Sequence, residues 1–254
     1  MKPGVKSGES QLKANLAEIM ESIQGEGLLV GSRQVFLRFT GCNLRCSYCD
    51  TPASFQPLPY CQVAKVTGRG DLWEQVPNPF SVEQVLEQLK NYSSQWISLT
   101  GGEPLLWADF IKEMGASLKP QGYKLLLETN GTLYEQLGEC LPYIDVISMD
   151  YKLPSATGMD CGAKHAQFLT VAVEKPVYIK IVIDAKVDQE EIEEAVEIIT
   201  AVNPNITLIL QAVTPIRDAV SPSIEKLLDL QKICQETIRD VRIIPQIHKM
   251  MGLI

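Results

Sequence analysis

Strand-like and helical runs alternate along almost the whole chain, and this rhythm limits the possible folds more than any other feature. Strand candidates fall at 34–39, 96–99, 123–127, 144–148, 177–183, 206–210 and 241–244. Helical segments with sharp starts lie between them. Ser81 with Gln84 reads as a capping box ahead of Val82, Val85, Leu86 and Leu89. Asp188 with Glu191 reads as another, ahead of Ile192, Ala195, Val196 and Ile199, and Ser221-Pro222 reads as a third start with proline in the first turn. Strand followed by helix, repeated, predicts an α/β fold on a parallel sheet, open or closed into a barrel of about six to eight units. Residues 52–79 interrupt the pattern with five prolines and Gly68-Arg69-Gly70, and read as a long inserted surface loop. Residues 1–15 read as an N-terminal extension to a single domain covering 1–254.

With 254 residues, 45% of them hydrophobic, the chain can bury one large core without dividing. A net charge of −8 argues against a nucleic-acid partner, which calls for a basic face. No apolar run reaches the length of a membrane span, and no signal-peptide core precedes residue 18, so a cytoplasmic protein is expected. Seven cysteines, an odd number with three crowded into eight residues, suit reduced thiols better than a disulfide framework.

Those three, Cys42, Cys46 and Cys49, follow an apolar strand candidate at spacings x3 and x2. Three thiolates on one tight loop can hold a cubane iron–sulfur cluster and leave one of its four irons open. Zinc is the competing reading, but a structural zinc site needs four ligands. Cys46-x2-Cys49 supplies one pair, no second such pair exists, and Cys61 is the only conceivable fourth ligand after Cys42. Cys140, Cys161 and Cys234 lack metal spacing and read, with Cys61, as buried thiols.

Other polar and glycine-rich residues fall where strand candidates end, the rim on which parallel barrels carry their chemistry. Thr100-Gly101-Gly102-Glu103-Pro104 follows one strand, Glu128-Thr129-Asn130-Gly131 the next and Asp150-Tyr151-Lys152 the one after; Gln211 and Gln246-Ile247-His248-Lys249 follow later ones. Each reads singly as a turn or helix start. Their repetition on one rim favours an enzyme.

With these residues in view, the chain resembles radical S-adenosylmethionine (SAM) enzymes, and within them the 7-carboxy-7-deazaguanine synthase family. Ser22-Ile23-Gln24-Gly25-Glu26-Gly27, Phe36 through Leu44, Cys49-Asp50-Thr51, Gln211-Ala212-Val213-Thr214-Pro215 and Gln246 through Lys249 carry the likeness. It implies a partial (β/α)6-type parallel barrel and a carbon–nitrogen lyase. The reaction would turn 6-carboxy-5,6,7,8-tetrahydropterin into 7-carboxy-7-deazaguanine with loss of ammonia, in queuosine biosynthesis. Cys42, Cys46 and Cys49 would ligate a 4Fe–4S cluster. Tyr48, Gly101, Gly102, Glu103, Thr129, Asn130, Asp150 and Lys152 would bind SAM. Ile23, Gln24, Gly25, Glu26, Arg38, Thr100, Gln211, His248 and the Ile254 carboxylate would surround the pterin. Thr51 would ligate Mg2+, with Asp50 behind it. A flavodoxin or ferredoxin as electron donor and a homodimer are further implications. The chain departs from the family where Asp150-Tyr151-Lys152 replaces the frequent Ser-Pro-Lys, and residues 1–13 and 52–79 have no counterpart. A glycyl-radical activase or a non-catalytic metal-binding module are the alternative readings.

Overall fold

The structure, a computed structural model, describes residues 12–65 and 72–253. Its first half lays down β1 (Lys13–Ala14), β2 (Leu16–Ile23), β3 (Arg33–Phe39), β4 (Tyr60–Ala64), β5 (Trp73–Pro77) and β6 (Phe80–Ser81). Then α1 (Val82–Leu89), β7 (Trp96–Gly101), α2 (Ala108–Leu118), β8 (Lys124–Thr129), α3 (Tyr134–Cys140) and β9 (Val146–Asp150) follow. The remainder is α4 (Pro154–Thr157), α5 (Gly162–Ala172), β10 (Val177–Ile183), α6 (Gln189–Val202), β11 (Thr207–Ala212), α7 (Ile224–Gln235), β12 (Val241–Ile243) and α8 (Ile247–Met250).

Ten strands form one sheet in the order β12-β11-β10-β9-β8-β7-β3-β2-β4-β5, parallel from β3 through β12. Alternate residues separate its two faces. Ile97 and Leu99, Leu125 and Leu127, Ile147 and Met149, and Ile179 and Ile181 belong to the main apolar core. Their neighbours Ser98, Thr100, Glu128, Ser148, Asp150 and Lys180 face the other way. A flat sheet would hold β12 and β2, seven spacings apart, about 34 Å from each other at ~4.8 Å per strand. Yet the Ile247 amide, just past β12, donates to the Gly25 carbonyl just past β2 at 2.9 Å. The sheet is therefore curled into a partial barrel, and its polar face is the concave one.

The capping box of α1 forms as expected: Gln84 N donates to Ser81 Oγ at 3.3 Å, and Ser81 N to Gln84 Oε1 at 2.9 Å. Two other starts differ. Asp188 precedes α6 without a side-chain cap, and Glu191 turns away to accept the Ser155 amide at 2.6 Å. α7 begins two residues past Pro222, with Ser223 accepting the Lys226 amide, while the Ser221 hydroxyl donates to the Val213 carbonyl.

The inserted segment is not the loop its prolines suggest. It opens with a 3-10 turn at Pro52–Phe55, then adds β4 and β5 as an antiparallel pair beside β2. Cys61 and Val63 point into the core at period two, a strand signal masked by the flanking prolines. Asn15 and Asn78 fasten the pair: Asn15 exchanges two hydrogen bonds with the Leu58 backbone, and Asn78 does so with Leu16. Gly68-Arg69-Gly70 lies outside the described residues. The end of the supposed N-terminal extension belongs to the fold, with β1 pairing β6.

Candidate active site

Four bonds assemble the loop after β3. Gly41 N donates to Ser54 O at 2.7 Å, and Glu103 N donates to Gly41 O at 2.7 Å. Asn43 links across to the strand-end turn of β8, donating to Thr132 Oγ1 and accepting from Asn130 Nδ2, each at 2.8 Å. Arg45 donates to the Cys42 and Leu44 carbonyls at 2.7 Å and lies over the Phe55 ring. The inserted 3-10 turn thus braces the cysteine loop.

Cys42, Cys46 and Cys49 are free, half-buried and line one cavity of about 470 Å³ on the concave face. Burial pushes the Cys42 and Cys46 thiols up, and the Lys152 ammonium pulls against it. Lys152 sits over the Tyr48 ring and pairs with Asp150 at 3.1 Å. Tyr48 and Ile216 pack against Val182, Val213 and Ala219, a small apolar patch apart from the main core.

The same cavity is lined by Gly101, Gly102, Thr129, Asn130, Asp50 and Thr51, and by Ile23, Gln24, Gly25, Glu26, Arg38, Thr100, Gln211 and His248. Of the site residues expected from sequence, Glu103 stands off the cavity wall and Ile254 lies outside the described residues. The Glu103 carboxylate is fully buried, accepting from Leu105 N at 3.0 Å and from Thr129 Oγ1 and Asn130 N at 2.8 Å. Burial pushes it up to about 7 against those hydrogen bonds. It therefore joins two strand ends behind the cavity wall. The paired glycines also serve packing: a Cβ on Gly101 would overlap the Phe39 carbonyl, and one on Gly102 the Gly41 carbonyl.

Arg38 (β3) lines the cavity and donates through Nε to Glu18 at 2.7 Å. Glu26 pairs with Lys180 and accepts from Gln246 Nε2 at 2.7 Å. Burial pushes Glu26 up, but the Lys180 charge, the hydrogen bonds from Gln246 and Lys180 and the nearby His248 together outweigh it and hold the carboxyl down at about 2. Glu128 accepts from Gln24 Nε2 at 2.7 Å, Ser98 Oγ at 2.6 Å and Thr100 Oγ1 at 3.1 Å. Two buried acceptors, Asp150 Oδ1 and Gln211 Oε1, lack a partner among the described residues. Asp50 pairs with Lys249 of α8 at 3.3 Å.

Lys180 escapes the sequence reading, and Glu128 and Gln246, though they stand in rim motifs, receive no site role from it. Lys180 carried a usable signal, one charge in the middle of Val177-Tyr178-Ile179-Lys180-Ile181-Val182-Ile183. His165 also went unremarked. Fully buried on α5, its Nε2–H donates to the Asn130 carbonyl at 3.1 Å, and its ring lies 4.1 Å from that of Tyr151. Burial pushes His165 down to about 4 from 6.5, so it is neutral in the fold. The unfolded chain then binds the extra proton first as pH falls. The difference predicts about 3 kcal/mol of stability lost between pH 6.5 and 4. Denaturant titrations across that range should show this slope, and His165→Gln should flatten it.

The Radical SAM superfamily model matches residues 36–210, from β3 through β11. A Geobacter sulfurreducens protein named 7-carboxy-7-deazaguanine synthase is 42% identical over 94% of this chain and 97% of its own length. The chain belongs to the 7-carboxy-7-deazaguanine synthase family. A relative of the same name from Methanopyrus kandleri is 35% identical over 94% of each chain. QueE from Escherichia coli shares the fold, with TM-score 0.61 and 22% identity over 93% of this chain and 95% of that one.

Membership in the 7-carboxy-7-deazaguanine synthase family makes this a radical SAM enzyme and replaces the activase and metal-module readings. Its cofactors are a 4Fe–4S cluster, SAM and Mg2+. The donor set fits the cluster, with three accessible thiols around one cavity. Cys61, the conceivable fourth zinc ligand, is fully buried in the core. The Tyr48 patch suits an adenine, and the orphaned Asp150 oxygen suits a hydroxyl donor. The Thr51 hydroxyl, 4.0 Å from Cys49 Sγ, is a hard oxygen of the kind Mg2+ takes while keeping waters. Among the described residues no helix is long and apolar enough to cross a membrane.

Proposed function

We propose that this chain converts 6-carboxy-5,6,7,8-tetrahydropterin to 7-carboxy-7-deazaguanine and ammonia, a step toward queuosine. One observation carries the reading: the rim beyond β3 holds the three thiols, while the floor holds an arginine fork and an ionised glutamate. Held by Cys42, Cys46 and Cys49, the cluster together with SAM would supply the radical chemistry that the pterin rearrangement requires. The protein's own residues bind and orient. Arg38 offers its two terminal nitrogens to the substrate carboxylate as a planar fork. Glu26, acceptor-only when ionised, takes the amino and ring N–H donors of the guanine-like edge. Gln211 Oε1 offers a further buried acceptor, and His248, packed against Gly25, closes the wall beside them. Thr51 would anchor Mg2+ near the substrate carboxylate, with Asp50 behind it.

The reading is tested by incubating anaerobically reconstituted enzyme with dithionite, SAM and the carboxytetrahydropterin, then identifying the deazapurine by mass. Absence of that product, with SAM cleavage intact, would reject it. Arg38→Lys is expected to raise KM for the pterin about tenfold or more, since a charged bidentate contact becomes a single one. SAM cleavage without product should persist in this variant. Its disappearance would move Arg38 out of the pterin site.

The finer surroundings belong to the same proposal. Seven free thiols are in keeping with a reducing, cytoplasmic location, and the one-electron reduction that the cluster requires is the basis for proposing a donor of the flavodoxin or ferredoxin kind. Ile224 and Leu228, exposed one turn apart on α7, support a homodimer, which sedimentation would test.

A further inference from the structure

We propose that Lys180 is a positioning residue that acts on the substrate through Glu26, holding that carboxylate charged and aimed into the cavity. The proposal rests on the functional reading above. Lys180 is 3% exposed, and its ammonium sits on Glu26 Oε2 with Asp150 Oδ2 at 3.8 Å. The other Glu26 oxygen accepts from Gln246. Each carboxylate oxygen has two lone pairs, so one acceptor site remains on each for a ligand's adjacent N–H groups. Without the ammonium, burial would favour the protonated acid, which presents a rotating hydroxyl instead of two acceptors.

β10 also fixes the loop that carries Glu26. Gly27, at φ +68, packs so closely on Tyr178 that a Cβ there would overlap its ring. Tyr178 and Lys180 are two residues apart on one strand and share its concave face. The strand therefore grips the Gln24–Gly27 turn at two consecutive points, one steric and one ionic. Asp150 meets Lys180 on one side and Lys152 on the other. It balances the second cation without touching Glu26.

A double-mutant cycle separates this role from a merely structural one. Dissociation constants for the pterin are measured by anaerobic equilibrium dialysis on SAM-loaded holoenzyme without reductant. The proteins are wild type, Glu26→Gln, Lys180→Met and the double variant. Each single change is expected to weaken binding on the order of a hundredfold. The double variant should bind within about twofold of Glu26→Gln, because Lys180 has nothing left to position. Should Lys180→Met alone fail to fold, that second comparison still decides. The double variant leaves no unpaired charge at the Glu26 position. A further loss of about tenfold or more on adding Lys180→Met to Glu26→Gln would overturn the proposal, as would wild-type affinity in Lys180→Met. A wild type that does not bind the pterin rejects the functional reading, and this inference falls with it. A wild type that binds and turns over while the cycle is additive rejects the inference alone.

Discussion

Cys46→Ala, purified and reconstituted without oxygen, is expected to lose most of its iron and sulfide and all SAM cleavage. Wild type should carry about four irons per chain, the complement of one cubane cluster. Cys46 sits between the other two thiols on a loop braced by Ser54, Asn43 and Arg45, so two thiols would remain on an otherwise intact scaffold. None of the other four cysteines, Cys161 included, lines the cavity. Cys61, Cys140 and Cys234 are fully buried in the core, and burial pushes each thiol up to about 12. They remain protonated at working pH, and only thiolates ligate. Cys234→Ala supplies the contrast: it should retain full iron and lose only the modest stability of a small core truncation. Wild-type iron content in Cys46→Ala would remove that residue from the ligand set.

The thiols were legible because their spacing is local, and the same holds for most of the barrel. All seven strand candidates form strands, with ends shifted by no more than two residues. What stayed hidden depends on distant partners. β2 reads poorly because Glu18, Glu21 and Ser22 interrupt its apolar run. Yet Glu18 pairs with Arg38 across the neighbouring strand, and Glu21 accepts three hydrogen bonds from Ser93 and Ser94. β4 and β5 were obscured by prolines that prove to bound the strands. In the site, Glu103 sits in a motif that points to a ligand, but its carboxylate is satisfied by residues 26 and 27 positions away. Lys180 was visible as a misplaced charge. Its partner, 154 positions away, was not.

The second large effect is expected from a single methyl group. Gly102→Ala should lower iron content and SAM affinity together, although position 102 touches neither a thiol sulfur nor a titratable group. Unlike Gly101, whose φ is +123, Gly102 has an ordinary backbone conformation, so the obstacle is space alone. A Cβ would overlap the Gly41 carbonyl and stand 3.2 Å from Cys42 Cβ. That carbonyl cannot swing aside, because it accepts the Glu103 amide, and Gly102 N is itself bound to Phe39 O at 3.0 Å. The added carbon must therefore push the Gly41–Cys42 backbone outward. Overpacking of this kind costs about 1–3 kcal/mol, and a displacement of about 1 Å at a reacting centre lowers rates about a hundredfold. Gly138→Ala on α3, where nothing lies within 4 Å, should instead stabilise by about 0.5–1 kcal/mol. Thermal unfolding should shift in opposite directions for the two variants, and iron analysis should show a loss in Gly102→Ala alone. Equal behaviour would mean that the β7 strand end does not set the position of the cysteine loop.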